Sequence, residues 1–170
     1  MHASIALTVY QGRAGDRNEL AAPGALAVAA ALAQRIGCEP VVVGDPAPAL
    51  NTRWQAELAA ALPALRALAQ RCNHVFLQGL CPLTVNTRCA ASLATLPVVA
   101  RHRDDACVVW FDAHADFNTP TTSATGYLGG MAISGPAGLW DCGLGQGLRM
   151  SNVVLVGSRD IDPAEQRLID

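Results

Sequence analysis

Ala106-Cys107-Val108-Val109-Trp110-Phe111-Asp112-Ala113-His114-Ala115-Asp116 opens with a nearly unbroken apolar run and ends on three polar side chains spaced by two. A run without polar alternation reads as a strand buried on both faces, as in a parallel sheet covered by helices. In such sheets ligands bind beyond the carboxyl ends of the strands, and Asp112 stands where the run stops. On extended backbone, residues at i, i+2 and i+4 share a face. The spacing therefore predicts that Asp112, His114 and Asp116 converge at the mouth of the sheet. Two carboxylates and an imidazole suit a divalent cation, and carboxylates can bridge an ion pair that activates water. The same spacing also fits a polar strand end carrying a cap and a turn.

Outward from this stretch, short apolar runs alternate with helical patterns. Ser4–Tyr10 reads as a first strand and residues 11–18 as a loop. Pro23 opens a helix that Gly37 closes, and Pro40–Val43 is a second strand. Thr52 is placed to cap a helix running towards Gln70, with Pro63 as a kink or break. His74–Leu77 reads as a third strand, and residues from about 83 to 100 as a helix that Pro97 shortens. Ala106–Phe111 is the fourth strand and Asn152–Val156 the fifth, and Pro163 starts a last helix. This is an α/β chain with three layers, α/β/α, around a mainly parallel sheet, and it forms one domain over residues 1–170. Residues 118–151 are rich in Gly and Thr, and a loop of that length is functional or disordered. The last helix has barely begun at Asp170, so the sheet is expected to be incomplete at its C-terminal side, as in a truncated form of a longer chain.

Composition removes several classes of function. The 170 residues carry 12 basic and 14 acidic side chains with no basic stripe, which argues against nucleic acid as a partner. The longest apolar stretch, Ala21–Ala33, is broken by Pro23 and Gly24. It falls short of the ~20 residues that span a bilayer, so no membrane partner is expected. Met1-His2-Ala3-Ser4 has no basic leader region, and the six cysteines form no Cys-x-x-Cys pair. Both point to a reduced, cytoplasmic protein.

The residues beyond Asp112 narrow the reading further. Asp112-Ala-His-Ala-Asp-Phe-Asn-Thr-Pro120, continuing through Thr121-Thr-Ser-Ala-Thr-Gly126, resembles the Asp-Ala-His-x-Asp-x-Asn-Thr-Pro segment of arginases. Val156-Gly-Ser-Arg-Asp160-Ile-Asp162-Pro-Ala-Glu165 resembles a second arginase segment, Gly-x-Arg-Asp-x-Asp-Pro-x-Glu. The sequence thus resembles the ureohydrolase family of arginases, agmatinases and formiminoglutamases, closest to its arginase-like members. The likeness is specific from about residue 75 onwards.

The resemblance implies a hydrolase that cleaves a guanidino C–N bond of an arginine-like substrate to release urea. Its implied cofactor is a manganese pair. It implies Asp112, His114 and Asp116 as metal ligands, with Asp116 also in the catalytic role. It implies Asn118 and Thr125 on the substrate's α-carboxylate, and Asp162 and Glu165 on its α-amino end. Asp160 and Asp162 equally suit a turn or cap before Pro163. The implied partners are a small guanidino substrate and further copies in a homo-oligomer.

Three departures stand out. The family's Gly-Gly-Asp-His-Ser, whose His binds metal, is matched to Gln78-Gly79-Leu80-Cys81-Pro82, which makes Cys81 a fourth candidate ligand; thiolate suits softer metals than manganese. The family's proton-shuttling His in Asn-Leu-His-Gly falls on Gly129 of Tyr127-Leu128-Gly129-Gly130. A later Ser-Phe-Asp-x-Asp motif has no counterpart before Asp170. The alternative reading is therefore an inactive arginase-fold module that binds metal or a partner, or a truncated fragment.

Overall fold

The computed structural model describes residues 4–170; the sequence reading of Met1 to Ala3 lies outside them. Five strands and four helices follow in order: β1 (Ile5–Tyr10), α1 (Ala21–Ile36), β2 (Val41–Val43), α2 (Trp54–Leu77), β3 (Cys81–Val85), α3 (Ser92–His102), β4 (Val108–Phe111), β5 (Val153–Val156) and α4 (Pro163–Ile169). All strand pairs are parallel. They fall into two ladders, β2-β1-β3 and β4-β5.

The three-stranded ladder is covered on both faces, which gives the three expected layers. Leu7, Val9 and Val85 pack against Ala29 and its neighbours in α1. Tyr10 and Val43 pack on the other side against Leu58, Ala61, Leu65 and Leu68 of α2 and against Leu93 of α3. The β4-β5 ladder buries one face only. Val108, Trp110, Val153 and Leu155 pack with Ala115, Phe117 and Ile133, while Val109, Phe111 and Val154 are exposed.

The largest correction concerns residues 74–77. They are not a strand but the last turn of α2. Its buried positions, Leu58, Ala61, Leu65, Leu68, Cys72 and Val75, keep helical spacing to the end. Pro63 does not break the helix, because it and Ala59, whose carbonyl loses its partner, both face solvent. The helix stops at Gly79, which adopts φ +71°, and Leu80 N–H then bonds back to the Val75 carbonyl at 3.1 Å. The third strand follows from Cys81. Residues 83–85, expected in a helix, belong to it, and α3 runs through the buried Pro97 to His102.

Thr52 does not cap α2. Its N–H and Oγ donate to Glu57 Oε1 at 2.7 and 3.2 Å, and Arg53 holds the cap position. Nor is the long segment after Asn118 disordered. Leu128, Met131, Ala132, Ile133 and Ser134 are fully buried in it.

Candidate metal centre

Beyond the carboxyl ends of β3 and β4, the structure brings together one ligand atom each from Cys89, Asp112 and Asp116, all within 4.8 Å of one another. Cys89 starts a 3-10 turn that links β3 to α3. Asp112 directly follows β4. Asp116 reaches the same point because its own backbone turns, at φ +54°, out of the extended conformation. Two backbone bonds hold that turn: Ile133 N–H donates to the Asp116 carbonyl and Asn118 N–H to the Gly130 carbonyl, both at 3.0 Å.

Burial and mutual charge perturb all three groups. Asp116 is 4% exposed, and its Oδ2 is buried without a hydrogen-bond partner. Burial and the neighbouring Asp112 push its carboxyl up to about 7. Burial also raises the Cys89 thiol, and the two aspartates raise it further. Asp112 behaves differently. Burial alone would raise it, but hydrogen bonds from the His114 backbone, the Cys89 thiol and the His114 ring outweigh that and hold it below the ordinary carboxylate value. The Cys89 Sγ to Asp112 Oδ2 distance is 3.4 Å.

A divalent cation fits this donor set. It would satisfy the orphaned Asp116 oxygen and relieve the repulsion that raises the Asp116 carboxyl and the Cys89 thiol. One thiolate with two carboxylates forms a borderline set, softer than oxygen alone.

The other sequence candidates sit as follows. His114 is not among the three gathered groups, but its imidazole borders them: Nδ1 lies 3.2 Å from Asp112 Oδ1, Nε2 lies 3.6 Å from Asp160 Oδ2, and its side chain is 58% exposed. Cys81 is not part of the cluster. It is the exposed first residue of β3, paired with Ile5, at the opposite end of the strand. With α2 longer and β3 later than expected, the stretch that follows the third strand is Asn86-Thr87-Arg88-Cys89, and Cys89 takes the place assigned to Cys81. Sequence reasoning missed Cys89; the signal was the β-branched pair Thr84-Val85 just ahead of it.

Asn118 is buried and donates through Nδ2 to Asp162 Oδ2 at 2.8 Å, which joins two of the expected substrate residues. Thr125 is exposed, with its Oγ accepting from Tyr127 N–H at 3.2 Å. Glu165 is 3% exposed, and each of its oxygens accepts a backbone N–H, from Phe117 and from Asp162, both at 2.9 Å.

Fold and cluster together define an α/β domain with a group of candidate metal ligands at its strand ends. The Arginase family model matches residues 13–170. An N(omega)-hydroxy-L-arginine amidinohydrolase of Streptomyces lavendulae is 48% identical over 165 residues, covering 97% of this chain and 60% of that protein. The arginase of Bacillus subtilis strain 168 is 32% identical over 108 residues, covering 60% of this chain and 36% of that one. A crystal structure of arginase from Bacillus subtilis subsp. subtilis str. 168 aligns with a TM-score of 0.79 at 26% identity, covering 99% of this chain and 61% of the solved one. The chain belongs to the arginase family. It spans 60% of the length of the streptomycete relative.

Proposed function

We propose that the protein is a metal-dependent amidinohydrolase that cleaves the C–N bond between a guanidino carbon and the rest of an arginine-like amino acid. The observation that carries this reading is the convergence of Cys89, Asp112 and Asp116, with an unpartnered carboxylate oxygen buried among them. Manganese is the cation proposed first, and when bound it supplies Lewis acidity to an attacking water near neutral pH. Cys89, Asp112 and Asp116 would hold it. Asn118 and Thr125 offer an amide and a hydroxyl to the substrate's carboxylate, and Asp162 an acid to its ammonium group.

The likeness to a hydroxyarginine amidinohydrolase favours N-hydroxy-L-arginine as substrate, with hydroxyurea as product. The six free cysteines, four of them at least partly buried, favour a reducing compartment such as the cytoplasm. No helix among the described residues is long and apolar enough to cross a membrane.

The test is release of hydroxyurea from N-hydroxy-L-arginine, and of urea from L-arginine, by the manganese-loaded chain. Release abolished by Asp116→Ala would support the reading; no release from either compound would sink it for this chain.

A second reading has an observation of its own in favour. Three donors gather at one point, enough for one ion rather than a pair, and both oxygens of Glu165 are engaged by backbone. A module that binds one ion without turnover would fit those facts. It predicts metal uptake with no product.

A further inference from the structure

Gly129 opens a 3-10 turn, Gly129–Met131, that packs against the 3-10 turn beginning at Cys89. Residue 129 therefore belongs to the turn that packs beside the one carrying Cys89. Its glycine is not among those at positive φ, so backbone conformation does not explain the missing side chain. Space does. A Cβ at residue 129 would lie 2.5 Å from Tyr127 Cε1, 2.8 Å from Cζ and 2.9 Å from the hydroxyl oxygen. The Tyr127 phenol fills the volume that a side chain at 129 would take, and its hydroxyl end lies over that position.

The ring is held there. The Arg17 guanidinium lies 5.1 Å from its centroid. Tyr127 is half-buried, and among the described residues its only hydrogen bond to a side chain is made by its backbone N–H, onto Thr125. Nor is the hydroxyl fully sealed from solvent. Besides burial, its phenol feels the charge of Arg88, which lowers its pKa, and of Cys89, Asp16 and Asp116, which raise it. Burial raises the phenol above its ordinary pKa, and Arg88 only partly offsets this, so it remains a donor at neutral pH.

We propose that Tyr127 is a substrate-contacting residue whose hydroxyl donates a hydrogen bond to the oxygen of an N-hydroxyguanidino group. This rests on the hydrolase reading above and adds its selectivity element. A plain guanidinium presents N–H donors only, whereas an N-hydroxyguanidine adds an acceptor oxygen that a phenol can serve. A site built to bond one substrate oxygen discriminates against the analogue lacking it, because its own polar group is then left unpaired.

The experiment compares the complete, manganese-loaded chain with its Tyr127→Phe and Gly129→Ala variants. The first removes the hydroxyl. The second keeps it but displaces the ring, since the added Cβ would fall inside contact distance. For each protein, kcat/KM is measured on N-hydroxy-L-arginine and on L-arginine, and binding of both compounds is followed by calorimetry. Manganese content and melting temperature are recorded alongside.

Both variants should keep their manganese and lose roughly 10- to 100-fold in the preference for the hydroxylated compound. An unchanged preference in either variant, with the fold intact, overturns the proposal. A wild-type chain that hydrolyses neither compound overturns the hydrolase reading instead, and calorimetry then decides on Tyr127. Weaker binding of N-hydroxy-L-arginine to Tyr127→Phe than to wild type supports the contact. Equal binding, or none by wild type, refutes it.

Discussion

Glu165 Oε1 accepts the backbone N–H of Phe117 at 2.9 Å, across 48 residues of sequence. The bond ties α4 to the residue directly after Asp116. The second carboxylate oxygen takes the N–H of Asp162 in the same way. An acid that the sequence offers to a substrate's ammonium group is thus a brace for the loop that carries the metal cluster.

Glu165→Ala should therefore destabilise the chain by about 2–4 kcal/mol, because two backbone donors lose a charged acceptor in a buried place. Glu165→Gln keeps one acceptor oxygen and should lose less. Denaturant melts of the three proteins check this. Equal stability of wild type and Glu165→Ala would release Glu165 from the bracing role.

Metal uptake should distinguish the two cysteines at either end of β3. Cobalt titration should give a thiolate-to-cobalt charge-transfer band in wild type and in Cys81→Ala, and no band in Cys89→Ala. A band that survives in Cys89→Ala but vanishes in Cys81→Ala would place the ligand at the wrong end of the strand and refute the cluster.

The pH dependence of the metal-free chain follows from Asp116. Its carboxyl titrates near 3.8 in the unfolded chain and at about 7 in the folded one. Between those values the folded state binds the extra proton, so this group's contribution to stability is highest below about 4 and is lost as pH rises to 7. The melting temperature should fall across that window more steeply in wild type than in Asp116→Asn. Saturating manganese should flatten the difference, since the cation replaces the proton. Parallel profiles in both proteins would show that Asp116 is not the group at work.

Arg88, next to Cys89, lies 3.3 Å from Asp16 in an ion pair whose two side chains are about one-fifth exposed. The same guanidinium also reaches Asn18. Arg88→Met should loosen the tie between the loop after β1 and the Cys89 turn. The expected loss of stability is about 1 kcal/mol, with manganese affinity reduced several-fold by calorimetry. Unchanged affinity would show that the Cys89 turn is set without this pair.

The strand β4 and its two acids were legible because the apolar run of 106–111 is short, dense and followed at once by charge. The family segments extended that reading to Asn118 and Asp162. What stayed hidden depended on tertiary context. His74–Leu77 is three apolar residues behind a histidine, and such a run ends a helix as readily as it makes a strand. Placing it in a strand moved the candidate thiol from Cys89 to Cys81. The spacing Asp112, His114, Asp116 suggested one face only while the backbone was taken as extended. The left-handed turn at Asp116 keeps the two acids together and leaves the imidazole at their exposed edge, against Asp112 and Asp160. Asp116 is not a glycine, so nothing local announced that turn; the bonds from residues 130 and 133 impose it.

The division of the strands into two ladders gives the cluster a mechanical meaning. Cys89 hangs from the end of β3 in one ladder, and Asp112 and Asp116 from the end of β4 in the other. An ion gripped by all three would act as a crosslink between two ladders that share no strand pairing among the described residues. Unfolding of the loaded chain would then be a single cooperative event, while the stripped chain could come apart one ladder at a time.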